Sequence, residues 1–207
     1  MINPLKTSAS GRAVYRLCSI GYGIAGLFLK KPSLDSSTCP RRAAEVMRAC
    51  FEKGFEPRYC LLADMSLHSG VKRLAVWDCR AGKVLFTALV SHGSGSEDSR
   101  GRDFTRSAPR FSDTEGSLLT SLGIYRIAER YEGRYGTSFR LDGISATNAN
   151  ARSRAIVLHA FDCIPDFETY PHGTPESAGC PAVSRKTLRR LVPLLQSPAA
   201  LYIYSKD

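Results

Sequence analysis

The sequence predicts a mainly β fold, a sandwich or small barrel with a few short helices. Short runs rich in β-branched and aromatic residues recur from Leu74 onward. Glycine-containing turns separate them, and only two segments beyond the N-terminal stretch carry the apolar period of an amphipathic helix. At 207 residues the chain is long enough for one well-packed domain with an appendage.

In chain order, Lys6, Arg12 and Arg16 precede a mostly apolar run from Leu17 to Leu29, with Lys30 and Lys31 directly after it. That run has the length and flanking charge of a signal-peptide core and is short for a membrane span, so residues 1–31 are expected to be an export signal or membrane anchor. The Ser-rich stretch from Pro32 to Thr38 suits a linker. A helix follows, because Pro40 is tolerated in a first turn and Ala43, Val46, Met47, Cys50 and Phe51 recur at helical spacing. Gly54 ends it. Residues 32–71 are therefore expected as linker and helical segment, and 72–207 as the main domain.

Strands are expected at Leu74–Trp77 and Val84–Val90 around a glycine-containing turn, and at Ile124–Tyr131 and Ser138–Leu141 around Glu132-Gly133-Arg134-Tyr135-Gly136. Ala155–Leu158 and Leu201–Tyr204 complete the set. The segment from Ser91 to Arg106, rich in Gly, Ser and charge, reads as a loop. A second helix spans 185–192, capped by Ser184, with Leu188, Leu191 and Val192 on one face and Pro193 limiting it.

The chemistry concentrates near the C-terminus. His159 ends an apolar run that reads as a buried strand, and such a strand presents an imidazole rigidly, as a general base requires. Cys180 stands behind Ser177, Ala178 and Gly179, a small-residue turn that lets the amides of Gly179 and Cys180 point outward as an oxyanion hole. A thiol is mostly protonated near neutral pH, so a nucleophilic cysteine needs such a partner. The competing reading of the same two residues is a buried small hydrophobe and a core histidine. His172, eight residues before Cys180, is a rival base, His92 beside Gly93 a candidate lining of the cleft, and His68 a surface residue.

Formal charge is +10 with pI near 9.5, which favours polyanionic partners. The basic residues are scattered, as in Arg41-Arg42, Arg152–Arg154 and Arg185–Arg190, so a nucleic-acid-reading surface is not expected. Seven cysteines form neither a Cys-x-x-Cys pair nor a Cys/His run with zinc-ligand spacing, so neither a metal nor a cofactor is expected. The odd number leaves at least one thiol free, as a nucleophile at Cys180 needs. Pairing among the others is not legible in the sequence.

From about Lys72 to the C-terminus the chain resembles the murein L,D-transpeptidase catalytic domain family, cysteine enzymes of peptidoglycan. The resemblance rests on Arg73–Asp78 with Gly82–Phe86, Leu89-Val90-Ser91-His92-Gly93, Arg110-Phe111-Ser112 with Gly116-Ser117, Ser121–Tyr125, Leu141-Asp142-Gly143, Asn150-Ala151 with Arg154, and Ser177–Ala182, in the family's order. It implies a β-sandwich catalytic domain over 72–207, with Cys180 as nucleophile, His159 as base, and Ser177 and Gly179 as the hydroxyl and glycine before the nucleophile. His92, His172 and Arg154 are the substrate-side candidates. Ala178 and Ala182 depart from the family's better-known branch, which carries a histidine and a polar residue there. The implied activity is thioester transfer between peptidoglycan stem peptides with release of D-alanine, forming 3-3 cross-links, by an exported monomer. Hydrolysis of the same thioester would make it an L,D-carboxypeptidase. A basic, non-catalytic wall-binding domain is the remaining alternative.

Overall fold

The structure, a computed structural model, describes residues 9–95, 107–108 and 110–206. Its strands are β1 (Tyr59–Asp64), β2 (Leu74–Asp78), β3 (Lys83–Ala88), β4 (Gly123–Gly133), β5 (Gly136–Gly143), β6 (Val157–Ala160), β7 (Ala182–Val183) and β8 (Ala199–Tyr204). They form one eight-stranded sheet in the order β3-β2-β1-β8-β4-β5-β6-β7. The β1/β8 and β6/β7 pairs are parallel and the others antiparallel. The sheet bends until its ends nearly meet. Beyond β3 the Ser91 amide donates to the Ala182 carbonyl at 2.9 Å, and the Ser177 amide donates to the His92 carbonyl at 2.9 Å.

Both faces of this sheet are covered. On the inner face Leu61, Val76, Tyr125, Leu141, Leu158 and Leu201 pack together with Leu188 and Leu191. The latter two come from the helix Arg185–Leu194, whose Ser184 cap accepts a bond from the Thr187 amide. Pro193 lies inside the last turn instead of just beyond it, and the helix closes through the Leu195 amide on the Leu191 carbonyl. Pro193 has no N–H to give the carbonyl four residues back, and the helix ends one residue after it. On the outer face Cys60, Leu62, Ala75 and Trp77 pack against Ala43, Val46 and Cys50 of the helix Cys39–Glu52, which stops at Gly54 with φ +78°.

The mainly β architecture with few helices is as the sequence predicts, and all six expected strands are present. Two short strands go beyond that reading, β7 and β1. Tyr59–Asp64, inside the stretch expected as linker and helix, is a central strand between β2 and β8. Its Cys-Leu-Leu-Ala core is buried on both faces, so it lacks the alternation that marks a half-exposed strand.

We label the three helices α1 (Ala9–Gly26), α2 (Cys39–Glu52) and α3 (Arg185–Leu194). α1 lies against residues 162–172. A Cβ on Gly26 would sit 2.2 Å from the Tyr170 carbonyl oxygen, so the glycine allows backbone contact there. Tyr22 stacks on His172 with ring centroids 4.8 Å apart, and Lys31 pairs with Glu168. Val14, Leu17, Ile24, Leu27 and Phe28 remain exposed. Among the described residues no helix is long and apolar enough to cross a membrane.

Candidate active site

Strand β6 carries His159 between Ser138 of β5 and Ala182 of β7, so ladder hydrogen bonds fix its backbone on both sides. The ring is 4% exposed and stacks on Tyr135, from the β4–β5 turn, at 4.1 Å between centroids and 18° between planes. Its Nδ1 lies 2.9 Å from the Ala160 carbonyl oxygen. A carbonyl can only accept, so Nδ1 carries the proton and Nε2 keeps the lone pair. Burial pushes the His159 pKa below its ordinary value, partly offset by the bond to Ala160. The result is a neutral imidazole with Nε2 as its basic atom.

The Cys180 turn is built differently. Ser177 Oγ donates to the Cys180 carbonyl at 2.7 Å and accepts from the Gly179 amide at 3.1 Å, closing the turn on itself. Ser91 Oγ adds a bond to the same Cys180 carbonyl at 3.2 Å and accepts from the Ala182 amide at 2.9 Å. Thr120 Oγ1 donates to the Gly179 carbonyl at 3.2 Å and accepts from the Gly93 amide at 2.9 Å. Gly179 has φ +110°, and a Cβ there would lie 2.7 Å from the Leu119 carbonyl oxygen. Only glycine meets both demands.

The thiol itself touches β6. The Val157 amide points at Cys180 Sγ from 3.5 Å, and the Ala155 carbonyl is a distant acceptor at 4.0 Å. The strand whose Val157 amide contacts the sulfur also carries the imidazole, two residues further on. Burial raises the Cys180 pKa, opposed by the Val157 amide and by the charge of Arg154. Both shifts favour the uncharged forms, a thiol at Cys180 and a neutral imidazole at His159.

Other residues singled out in the sequence serve as framework. Arg154, its side chain 4% exposed, donates to the carbonyls of Ser112 and Leu119 at 3.0 and 2.7 Å and to the hydroxyls of Ser117 and Ser121, and pairs with Asp113. It clamps the segment that holds Thr120, and reaches the thiol by its field. His92 is 1% exposed and accepts at Nδ1 from the buried Arg73 guanidinium at 2.8 Å. Arg73 also donates to the Val90 carbonyl, fixing the strand end that presents Ser91. Burial and the Arg73 charge hold His92 well below the usual histidine range. His172 is turned to α1 through its stack on Tyr22. His68 is half-buried, with Nδ1 accepting from the Gly70 amide at 3.0 Å.

The expected pair of oxyanion donors needs correction, because the Gly179 amide already donates to Ser177 Oγ. The Cys180 amide has no partner among the described residues and is the donor left to an oxyanion. Ala178 is exposed on the rim, whereas Ala182 is 2% exposed beside His159 and offers nothing to the surface. Of the loop expected at 91–106, Ser91–Gly95 joins the site and residues 96–106 lie outside the described residues.

Sequence reasoning missed Ser91, Thr120 and Tyr135 as site residues. Ser91 stands in the quoted Leu89–Gly93 pattern. Tyr135 stands in the Gly133–Gly136 turn, and Thr120 carries no local signal. Among the described residues no group of three or more His, Cys, Asp or Glu side chains is placed to hold a metal ion.

A family model described as L,D-transpeptidase catalytic domain matches residues 31–204. Among solved structures the chain is similar to Bd1075 of Bdellovibrio bacteriovorus, at 19% identity and TM-score 0.46, over 72% of this chain and 48% of that one. It is also similar to an L,D-transpeptidase from Mycobacterium smegmatis, at 12% identity and TM-score 0.44, over 72% and 59% of the two chains. A third, the L,D-transpeptidase (Yku) from Stackebrandtia nassauensis, aligns at 11% identity and TM-score 0.43 over 92% and 66%. The chain thus spans 48% and 59% of the first two solved chains. No curated protein matches it.

Proposed function

The chain belongs to the L,D-transpeptidase catalytic domain family, and from that premise we propose that it is a cysteine acyltransferase acting on peptidoglycan stem peptides. Cys180 Sγ attacks the carbonyl of the third residue of a tetrapeptide stem. The Sγ proton passes to His159 Nε2, and the developing oxyanion takes the Cys180 amide. Collapse expels the terminal D-alanine, whose amine receives the proton back from His159. An amine of a second stem then attacks the thioester, releasing the thiol and leaving a 3-3 cross-link.

The observation that carries this reading is the joint presentation at β6, where the Val157 amide meets the Cys180 sulfur at 3.5 Å and His159, with Nε2 unprotonated, stands two residues further along the same strand. A buried structural cysteine would not need a turn strained at Gly179 and held by three separate hydroxyls. The decisive assay incubates the full chain with disaccharide tetrapeptide. Release of D-alanine and a cross-linked dimer are expected, with neither from Cys180→Ala at unchanged melting temperature. Tripeptide without dimer would assign the carboxypeptidase outcome, and no D-alanine from the wild-type chain would leave a non-catalytic wall-binding domain.

Such a substrate requires an exported protein, and the first 31 residues are proposed to direct export and to tether the chain. The first 34 residues contain no Asp or Glu but five Lys and Arg, and α1 turns Val14, Leu17 and Ile24 outward. A basic helix with one face docked and an apolar face exposed suits the surface of an anionic bilayer. A reporter fused after Ser33 and active only outside the cytoplasm is expected to be active; a silent reporter, with the fusion present in the cytoplasm, would reject export.

A further inference from the structure

We propose that Cys60 and Cys79 are a built modification site, a dithiol that closes to a disulfide which staples β1 to β2 in an oxidising compartment. Their sulfurs lie 3.4 Å apart in the described chain. The pairing is set by the ladder: Tyr59 opposes Asp78, Cys60 opposes Trp77, and the Cys79 amide donates to the Arg58 carbonyl at 3.2 Å. Cys60 and Cys79 therefore sit diagonally on one face of two antiparallel strands, within reach of each other. The ion pair between Arg58 and Asp78 closes the same corner. Bonding requires the sulfurs to approach from 3.4 Å to about 2.05 Å.

The two thiols are unequal. Cys60 is fully buried, whereas Cys79 is part-exposed. The hydrogen bond between them, with burial, raises the pKa of Cys60, and the same bond lowers that of Cys79. Cys79 is thus the entry point. Its thiolate attacks one sulfur of a small-molecule disulfide oxidant, breaking that S–S bond and releasing one thiol. Cys60 then gives up its proton and attacks the Cys79 sulfur, displacing the second thiol. Two protein thiols are oxidised, one oxidant disulfide is reduced, and the electrons balance. Cys50 of α2 packs in the same cluster, but the sulfur that stands 3.4 Å from Cys79 is that of Cys60. Cys180, set in its own turn, stays reduced.

Oxidation inside cells rests on the export proposed above, whereas the geometry does not. The test takes the reduced full chain, treats it with oxidised glutathione, and alkylates it after denaturation. Seven cysteines less the bonded two should leave five to be alkylated, Cys180 among them, with a cross-linked peptide joining Cys60 to Cys79. Cys79→Ser should lose this product and Cys50→Ser should keep it. The oxidised chain should melt several degrees above the reduced one, a gap that Cys79→Ser removes. Alkylation of all seven, a Cys50–Cys79 linkage, or glutathione left on Cys79 would each overturn the proposal. Fully reduced protein recovered from cells, beside clean oxidation of the purified chain, would uphold the pair and reject export.

Discussion

His159 is held by backbone ladder bonds to β5 and β7 and by the face of Tyr135, whereas the Cys180 turn is held almost entirely by the hydroxyls of Ser177, Ser91 and Thr120 from three separate stretches of chain. A ladder survives most side-chain changes because its bonds are main-chain. A turn fixed by side-chain hydroxyls does not. The proposed base, His159, should therefore be robust in position and sensitive in chemistry, and the proposed nucleophile, Cys180, sensitive in both.

Replacing the base is expected to have the largest effect. His159→Gln should lower turnover roughly 10²- to 10⁴-fold while leaving the melting temperature nearly unchanged, since the ladder at 159 remains. A large fall in melting temperature would show that the ring, and not the ladder, holds β6. Next in size is Gly179→Ala, which forces a methyl against the Leu119 carbonyl at φ +110°. A strain of about 1–3 kcal/mol should appear as lower melting together with lower turnover. Loss of turnover alone would mean that the turn relaxes without cost to the sheet.

Smaller still are the hydroxyl deletions. Ser177→Ala removes two bonds and Ser91→Ala two others, each net about 0.5–1.5 kcal/mol. Ser177→Ala should lower kcat more, because its bond to the Cys180 carbonyl is the shorter. It also frees the Gly179 amide. Equal losses, or a gain in kcat for Ser177→Ala, would show that the freed amide serves the oxyanion better than the closed turn does.

Tyr135→Ala should have the smallest effect, and it reads out in pH. His159 is held below its ordinary pKa by burial, so between its folded value and the unfolded value near about 6.5 the unfolded chain binds more protons. Stability from this group thus falls as pH drops below that unfolded value and is restored above it. Uncovering the ring should raise its pKa, move the acid limb of activity upward and flatten this part of the stability curve. Tyr135→Phe, which keeps the stack, should resemble wild type. An acid limb unmoved in Tyr135→Ala would assign it to another group.

Much of the fold was legible because its signals are local. The two amphipathic periods, the Ser184 cap, the Gly54 stop and the glycine turns between β-rich runs all act within a few residues. Cys180 behind Gly179, and His159 at a strand end, were legible for the same reason. β1 was not, since a strand buried on both faces shows only an apolar run, and what covers its second face is α2.

The sequence by itself determined which groups are present: a thiol on a glycine turn, an imidazole on a strand, and a basic, acid-free N-terminal stretch. Only the tertiary structure decided what each group faces. It turned His92 and Arg154 into framework, His172 toward α1, tied the Gly179 amide to Ser177, and brought Cys60 to Cys79. Those outcomes depend on partners from 2 to 150 positions away in the chain, from Gly179 with Ser177 to His172 with Tyr22, brought together by strand pairing and burial, forces that one-dimensional spacing does not record.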